Sequence, residues 1–402
     1  MRVVELCAGL GGTRAGLDAE GWETILAFDS SADAVTAHRA TFGDAVEADV
    51  WDIQPEDLPT FDVLSAGFPC QPFSSSGHRS GFHHKSGNVF EGIVRILDKR
   101  RPEIVLLENV YGLLHNKAGH TFTRVLQELT GLGYAVDWLT VDLRWFGYPQ
   151  TRPRVLILAV QQPKVLKIPD TIQLAGASVF APVISRLHLS VERISIGSLT
   201  EMEESRRPAV GKPAHRGGMP YGTGGMARGD EFASFRTKAV RNSELVASLG
   251  EIVAPGFSYP EEIRSARYWA YDGPSSLHLR DEPVSHCVGT SLGGAPLYAV
   301  PERLARLEKD KSAFLRFSNW SRTDKRFHVM RLEPARATRL FGIHTEALER
   351  GVGKARIGAV KKYVLVGNIM APVMAQLMVC LAEKRSVDSL LPEAMLSDIT
   401  LF

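Results

Sequence analysis

Four short stretches combine residue types able to do covalent or acid–base chemistry. In SAGFPCQPFSSSGHRSGF, Ser65 to Phe82, an apolar run ends at Phe68–Pro69–Cys70 and passes into a long polar loop. A cysteine at the carboxyl end of a strand, near backbone amides and basic residues, can have a depressed pKa and act as a thiolate nucleophile. A lone cysteine also serves as an inert packing residue. Here the two flanking prolines and the Ser/Gly-rich continuation suit a loop that closes over a substrate better than they suit a core. In LLENVYG, Leu106 to Gly112, a second apolar run terminates in Glu108, which could exchange a proton with a ring nitrogen or simply cap a helix. In YPQTRPRV, Tyr148 to Val155, Arg152 and Arg154 stand two positions apart before another apolar run. On a strand they share a face and could orient a base oxygen, a phosphate or carboxylates; as surface arginines they would do none of this. In ELCAGLGG, Glu5 to Gly12, a strand enters a glycine-rich turn that opens a helix, and Asp29 follows about 20 residues later. Glycines permit close backbone approach to a ligand, helix amides bind anions, and a carboxylate at that distance suits a ribose diol. A purely structural glycine turn has the same appearance.

These residues need a scaffold that brings strand ends together, and the pattern predicts one. Strands are expected at Arg2–Leu6, Thr24–Phe28, Asp62–Ala66, Ile104–Leu107, Ala135–Asp142 and Arg154–Val160, and helices at Gly12–Glu20, Ala32–Thr41, Val89–Lys99 and Thr121–Leu132. That alternation describes a mostly parallel sheet with helices on both faces. After about Gln162 the rhythm is lost until roughly Val329. Within this region HRGGMPYGTGGMARGD, His215 to Asp230, reads as a mobile loop, either a linker or a binding element. A helical pattern returns at Glu333–Phe341, and Tyr363–Leu381, interrupted by Gly367, Asn368 and Pro372, reads as buried. The expected division is 1–163, 164–328 and 329–402.

Composition excludes more than it identifies. With 402 residues, 44% hydrophobic and 23% charged, the chain can bury a substantial core and is not fibrous or wholly disordered. A net charge of +2 permits a nucleic-acid partner without announcing one. Cys7, Cys70, Cys287 and Cys380 form no CxxC pair, which argues against a zinc knuckle or a disulfide scaffold and for a reducing, cytoplasmic setting. No metal site is expected. The start MRVVELCAGLGG has no secretory pattern, and no uninterrupted apolar run approaches membrane-spanning length.

In order and spacing, ELCAGLGG, GFPCQPFS, ENV at Glu108–Val110, QTRPR at Gln150–Arg154, RLEPARATRLFG at Arg331–Gly342 and VGNIMAPVMA at Val366–Ala375 together resemble the DNA cytosine-5 methyltransferase family, prokaryotic modification type. The resemblance implies a Rossmann-like S-adenosylmethionine-dependent methyltransferase sheet plus a smaller, irregular, strand-rich target-recognition domain. It also implies flipping of a target cytosine out of double-stranded DNA, attack of the Cys70 thiolate on carbon-6 and methyl transfer to carbon-5. Glu108 would bond and protonate ring N3, and Arg154, supported by Arg152, would bind O2 and neighbouring carboxylates. S-adenosyl-L-methionine would be held by Leu6, Cys7, Ala8, Gly9, Gly11 and Gly12 at its methionine end, by Asp29 and Ser30 at the ribose and by Asp49 and Val50 at the adenine. Pro69, Val89, Asn368 and Ile369 complete that expected set. The base and its strand would meet Phe68, Pro69, Gln71, Ser74, Ser76 and Arg79, with the loop from Ser74 to Gly87 closing the site.

Many members of the family have an aromatic residue where Cys7 stands and another where Ser30 stands, so the adenine packing departs from the usual pattern. The middle region corresponds to target recognition; there Arg316, Arg322, Lys325 and Arg326 interleave with Phe317, Trp320 and Phe327, which suits either a duplex backbone or an ordinary solvated face. The reading also implies a monomer in the cytoplasm, nucleoid-associated in a prokaryote, serving restriction-modification beside a separately encoded endonuclease or working as an orphan enzyme. Three alternatives stand beside it: a transfer RNA methyltransferase of the same fold, a silent DNA-binding protein, and a nucleotide-dependent oxidoreductase. The last gives no role to Cys70, Glu108 or Asn368.

Overall fold

The computed structural model describes residues 1–69, 89–148, 150–162, 174–187, 189–205, 221–238, 268–272, 277–280, 297–301, 327–331, 334–341, 352 and 357–391. Its sheet begins with β1 (Arg2–Leu6), β2 (Glu23–Asp29), β3 (Val46–Glu47), β4 (Val63–Gly67), β5 (Ile104–Val110), β6 (Tyr134–Asp142) and β7 (Pro153–Gln161). The order across this part is β3-β2-β1-β4-β5-β7-β6. β1 to β5 run parallel, and β7 lies antiparallel between β5 and β6. The core strands are nearly continuous apolar runs because both faces of the sheet are covered. On β1, Val3 joins one core with the helices α1 (Gly12–Ala19) and α2 (Ala32–Phe42), while Val4 and Leu6 join the other with α3 (Val89–Arg100) and α4 (His120–Gly131). Alternation along a strand thus divides one sequence between two cores.

The strands and helices expected before residue 162 are all present, with boundaries within three residues of those expected. The sheet, however, does not stop at the expected boundary of 163. β8 (Ser190–Ser198), β9 (Gly224–Arg228) and β10 (Glu231–Lys238) extend it to ten strands, with β9 paired antiparallel to β6. Part of the segment expected to be a mobile glycine-rich loop is therefore packed structure. A Cβ on Gly225 would lie 2.2 Å from Trp138 Cζ2, and one on Gly224 would lie 2.4 Å from Phe235 Cε2. These glycines serve close backbone approach over aromatic rings, a role that sequence alone does not separate from flexibility. Tyr221 adds to the seam, its hydroxyl 2.7 Å from Thr123 Oγ1 and its ring packed edge-on to Phe122 and Trp138. The ion pair of Arg228 with Asp137, 2.7 Å, pins β9 to β6. A separate four-stranded sheet is formed by β11 (Tyr268–Asp272), β12 (Leu277–Arg280), β13 (Leu297–Pro301) and β14 (Phe327–Arg331), in the order β12-β11-β13-β14.

The chain then returns to the first core. Helix α5 (Ala359–Gly367) and helix α6 (Pro372–Ala382) flank a short crossover, and α6 packs along α1. Gly16 makes this possible, since a Cβ there would lie 2.3 Å from the Pro372 carbonyl oxygen. Val360–Ala382 is long and apolar enough by composition to cross a membrane, although Lys361, Lys362 and Asn368 interrupt its apolar run; 78% of its most apolar 18-residue stretch is buried within the protein, and the helix breaks before Pro372.

Candidate active site

In open α/β sheets, ligands bind at the carboxyl ends of strands where the strand order reverses. Here the reversal falls between β1 and β4. β1 ends at the turn Cys7 to Gly11, β2 at Asp29, β4 at Phe68 and β5 at Glu108 to Val110, while the antiparallel β7 brings the start of its run, Arg154, to the same edge. Residues far apart in sequence therefore converge because of strand direction alone.

The β1 turn is shaped by left-handed backbone at Cys7 (φ 55°), Gly9 (φ 54°) and Gly11 (φ 81°). Such a conformation is strained for cysteine and favours glycine. The turn is held by the Ala8 N–H donating to Phe28 O at 2.9 Å and the Gly9 N–H donating to Asp29 Oδ2 at 2.9 Å. The other Asp29 oxygen accepts from the Ser31 N–H at 2.8 Å. Burial raises the Asp29 pKa, and the Ser31 and Gly9 amides oppose that shift. A Cβ on Gly9 would meet nothing within 4 Å, so the turn leaves open space beside this residue. The Cys7 thiol is pushed up to about 12 by burial and by Asp29, Asp49 and Glu5, which makes it an un-ionised packing group. Ser30 is exposed, Asp49 is exposed and folds its Oδ1 onto the Trp51 N–H at 2.9 Å, and Val50 is buried against Gly92 of α3. Val89 opens α3 half-buried.

Glu108 and Arg154 form a buried ion pair at this edge. Their positions are diagonal across the β5–β7 ladder, and Arg154 Nε lies 2.8 Å from Glu108 Oε1 with both side chains about nine-tenths buried. Burial raises the Glu108 pKa; Arg154 first and Arg152 second pull it back. A buried carboxyl group whose proton affinity is raised in this way is suited to acid–base chemistry. Beside it Phe68 is buried against Phe90, and Pro69 is exposed. Cys70, Gln71, Ser74, Ser76 and Arg79 lie outside the described residues, as do Arg316, Arg322, Lys325 and Arg326 with Phe317 and Trp320.

Arg152 departs from the sequence expectation. It precedes β7 and does not share a strand face with Arg154. Its guanidinium, 1% exposed, donates from Nη2 to Gly367 O at 2.9 Å and to Ile369 O at 2.7 Å, and lies 4.7 Å from the Phe341 ring centroid. Asn368, exposed, and Ile369, buried, thus stand on a crossover pressed against Gly12, where a Cβ would lie 2.2 Å from Met370 O. Three supporting residues escaped the sequence reading. Asn109 Nδ2 donates to Phe68 O at 2.8 Å and joins the ends of β5 and β4; Gln150 Nε2 donates to Leu340 O at 3.1 Å; Arg95 on α3 donates to the carbonyls of Val50, Trp51 and Ile53. The first two sit inside motifs already noted, whereas Arg95 carries no sequence signal at all.

Residues 1–192 match the family model for C-5 cytosine-specific DNA methylase. Among similar proteins, Type II methyltransferase M.BsuFI of Bacillus subtilis is 41% identical over 155 residues, 39% of this chain and 38% of that protein. Type II methyltransferase M.NgoBI of Neisseria gonorrhoeae is 36% identical over 171 residues, 42% of this chain and 54% of that protein. The matches thus span about half or less of these relatives. Two solved structures share the fold at low identity. Spodoptera frugiperda DNMT2, a triple mutant, has a TM-score of 0.57 at 14% identity, covering 95% of this chain and 99% of that one. S. pombe Dnmt2 methyltransferase has a TM-score of 0.54 at 18% identity, covering 96% and 99%. The chain shares the α/β fold of these solved methyltransferases, and its residues 1–192 are similar to the C-5 cytosine-specific DNA methylase family.

Proposed function

We propose that the chain is a DNA (cytosine-5-)-methyltransferase that takes its methyl group from S-adenosyl-L-methionine and uses Cys70 as nucleophile. The observation that carries this reading is the buried Glu108–Arg154 pair at the sheet edge where the turn after β1, the acid of β2 and the end of β4 also lie. The residues fit the cofactor: the open space at Gly9 admits a ligand, Asp29 at the end of β2 suits a ribose diol, and Asp49 and Val50 follow β3. Bound there, S-adenosyl-L-methionine supplies an electrophilic methyl group.

The chain's own groups then divide the work. Cys70 bonds to carbon-6 of a cytosine extruded from the duplex, which makes carbon-5 nucleophilic. Glu108, whose proton affinity burial raises, hydrogen-bonds and protonates ring N3. Arg154 bonds to O2 and holds Glu108 in place. Carbon-5 takes the methyl group; loss of its proton to solvent, departure of the Cys70 thiolate and return of the N3 proton to Glu108 then restore the neutral aromatic ring. Residues 164–328 serve target recognition, and 329–402 return to complete the catalytic domain. Similarity to proteins named Type II methyltransferases supports a cytoplasmic modification role, either beside a separately encoded endonuclease or alone.

Labelled methyl transfer to duplex DNA, with transfer RNA as competitor substrate, tests the reading, and bisulfite sequencing of the methylated DNA reports the site. Duplex labelling by wild type and its loss in Cys70→Ser are the expected result, together with a covalent adduct on 5-fluorocytosine DNA. Labelling of transfer RNA alone would overturn the substrate assignment, and an unimpaired Cys70→Ser enzyme would overturn the mechanism.

A further inference from the structure

The two arginines ahead of and within β7 face different partners. Arg154 meets Glu108, whereas Arg152 reaches the opposite end of the chain. One Arg152 nitrogen bridges the carbonyls of Gly367 and Ile369, the residues on either side of Asn368. Gly367 ends α5 and Ile369 follows its cap residue Asn368, so the carbonyls lie at the helix C-terminus, where partial negative charge accumulates and a buried cation is favoured. Phe341 lies against the guanidinium, and the Arg152 N–H donates to Asp142 Oδ1 at 3.3 Å, so the side chain leaves from a fixed base. On its far side the crossover presses on the cofactor turn: a Cβ on Gly12 would lie 2.5 Å from Ile369 Cγ1. The contact is continuous from β7 through Arg152 and the crossover to the start of α1.

We propose that Arg152 is a positioning residue for the cofactor: it fixes residues 367–370 against Gly12, presents Asn368 to the bound cofactor, and thereby sets cofactor affinity while Arg154 serves the base. The inference deepens the methyltransferase reading and rests on it.

The test uses the full chain, with S-adenosyl-L-methionine binding measured by calorimetry beside thermal unfolding and steady-state methylation. Without its tether the crossover is seated for only a fraction of the time, and apparent affinity falls by that fraction; Arg152→Met is expected to weaken binding by ~10-fold or more. The KM for S-adenosyl-L-methionine should rise in step with Kd. Arg152→Lys, whose ammonium can donate to both carbonyls, should recover most of the affinity. Phe341→Leu, which keeps the donors and loses the ring, should shift Kd in the same direction by a smaller factor. Unchanged Kd in a folded Arg152→Met chain, or a fall in kcat at constant Kd, would overturn the proposal. If Arg152→Met does not fold, an unaltered Kd in Phe341→Leu overturns it instead. A wild-type chain that does not bind S-adenosyl-L-methionine would sink the methyltransferase reading as well, so the two failures are distinguishable.

Discussion

Glu5 offers the sharpest link between burial and stability in this protein. It sits on β1 beneath the turn from Cys7 to Gly11, 1% exposed, and burial raises its pKa from 4.5 to about 8 despite a hydrogen bond from Thr13 and the nearby Arg14. An acid whose folded-state pKa lies above its unfolded value binds more protons when folded. Its contribution to stability is then complete below pH 4.5 and declines as pH rises towards 8. Each pH unit in that window is worth about 1.4 kcal/mol, so by pH 7 the accumulated loss is on the order of 3 kcal/mol. Glu5→Gln keeps the shape and a hydrogen-bonding group and removes the titration. Urea unfolding from pH 5 to 9 should therefore show wild-type stability falling relative to Glu5→Gln, with the variant more stable at pH 8. Parallel curves for the two proteins would refute the reasoning, because they would mean that Glu5 reaches water or a cation in the folded state.

Glu108→Gln removes the exchangeable proton while leaving a hydrogen-bonding amide, and should lower the rate of methyl transfer by ~10²- to 10⁴-fold in single-turnover assays. Gly225→Ala would place a Cβ 2.2 Å from Trp138 Cζ2 and 2.4 Å from Ala233 O; the overpacking should cost about 1–3 kcal/mol in urea unfolding. Arg228→Ala leaves Asp137 buried without its cation, at a cost of about 3–5 kcal/mol at pH 8. Because burial already raises the Asp137 pKa, loss of the cation raises it further, and the stability gap to wild type should narrow as pH falls.

The elements before residue 162 were legible because hydrophobic period and turn residues coincide there. Apolar runs such as Val63–Gly67 are buried on both faces, and the run alone reveals them. Beyond residue 162 the same signals mislead. Gly224 and Gly225 look like flexibility and are instead the flat ground on which Phe235 and Trp138 pack. Alternation in Val360–Ala382 is hidden because nearly every side faces protein.

The residue types suited to chemistry were set by the sequence: a cysteine after Phe68–Pro69, an acid closing β5, glycines after β1 and an acid closing β2. Which of them act together was decided only by tertiary structure. Strand direction brings Arg154 to Glu108, because β7 runs antiparallel beside β5. Arg152, one residue before the strand, escapes that alternation and turns to carbonyls more than two hundred residues away. Short-range periodicity fixes on which face a side chain emerges within an element, but the partner that waits on that face is set by long-range packing, which no local pattern encodes.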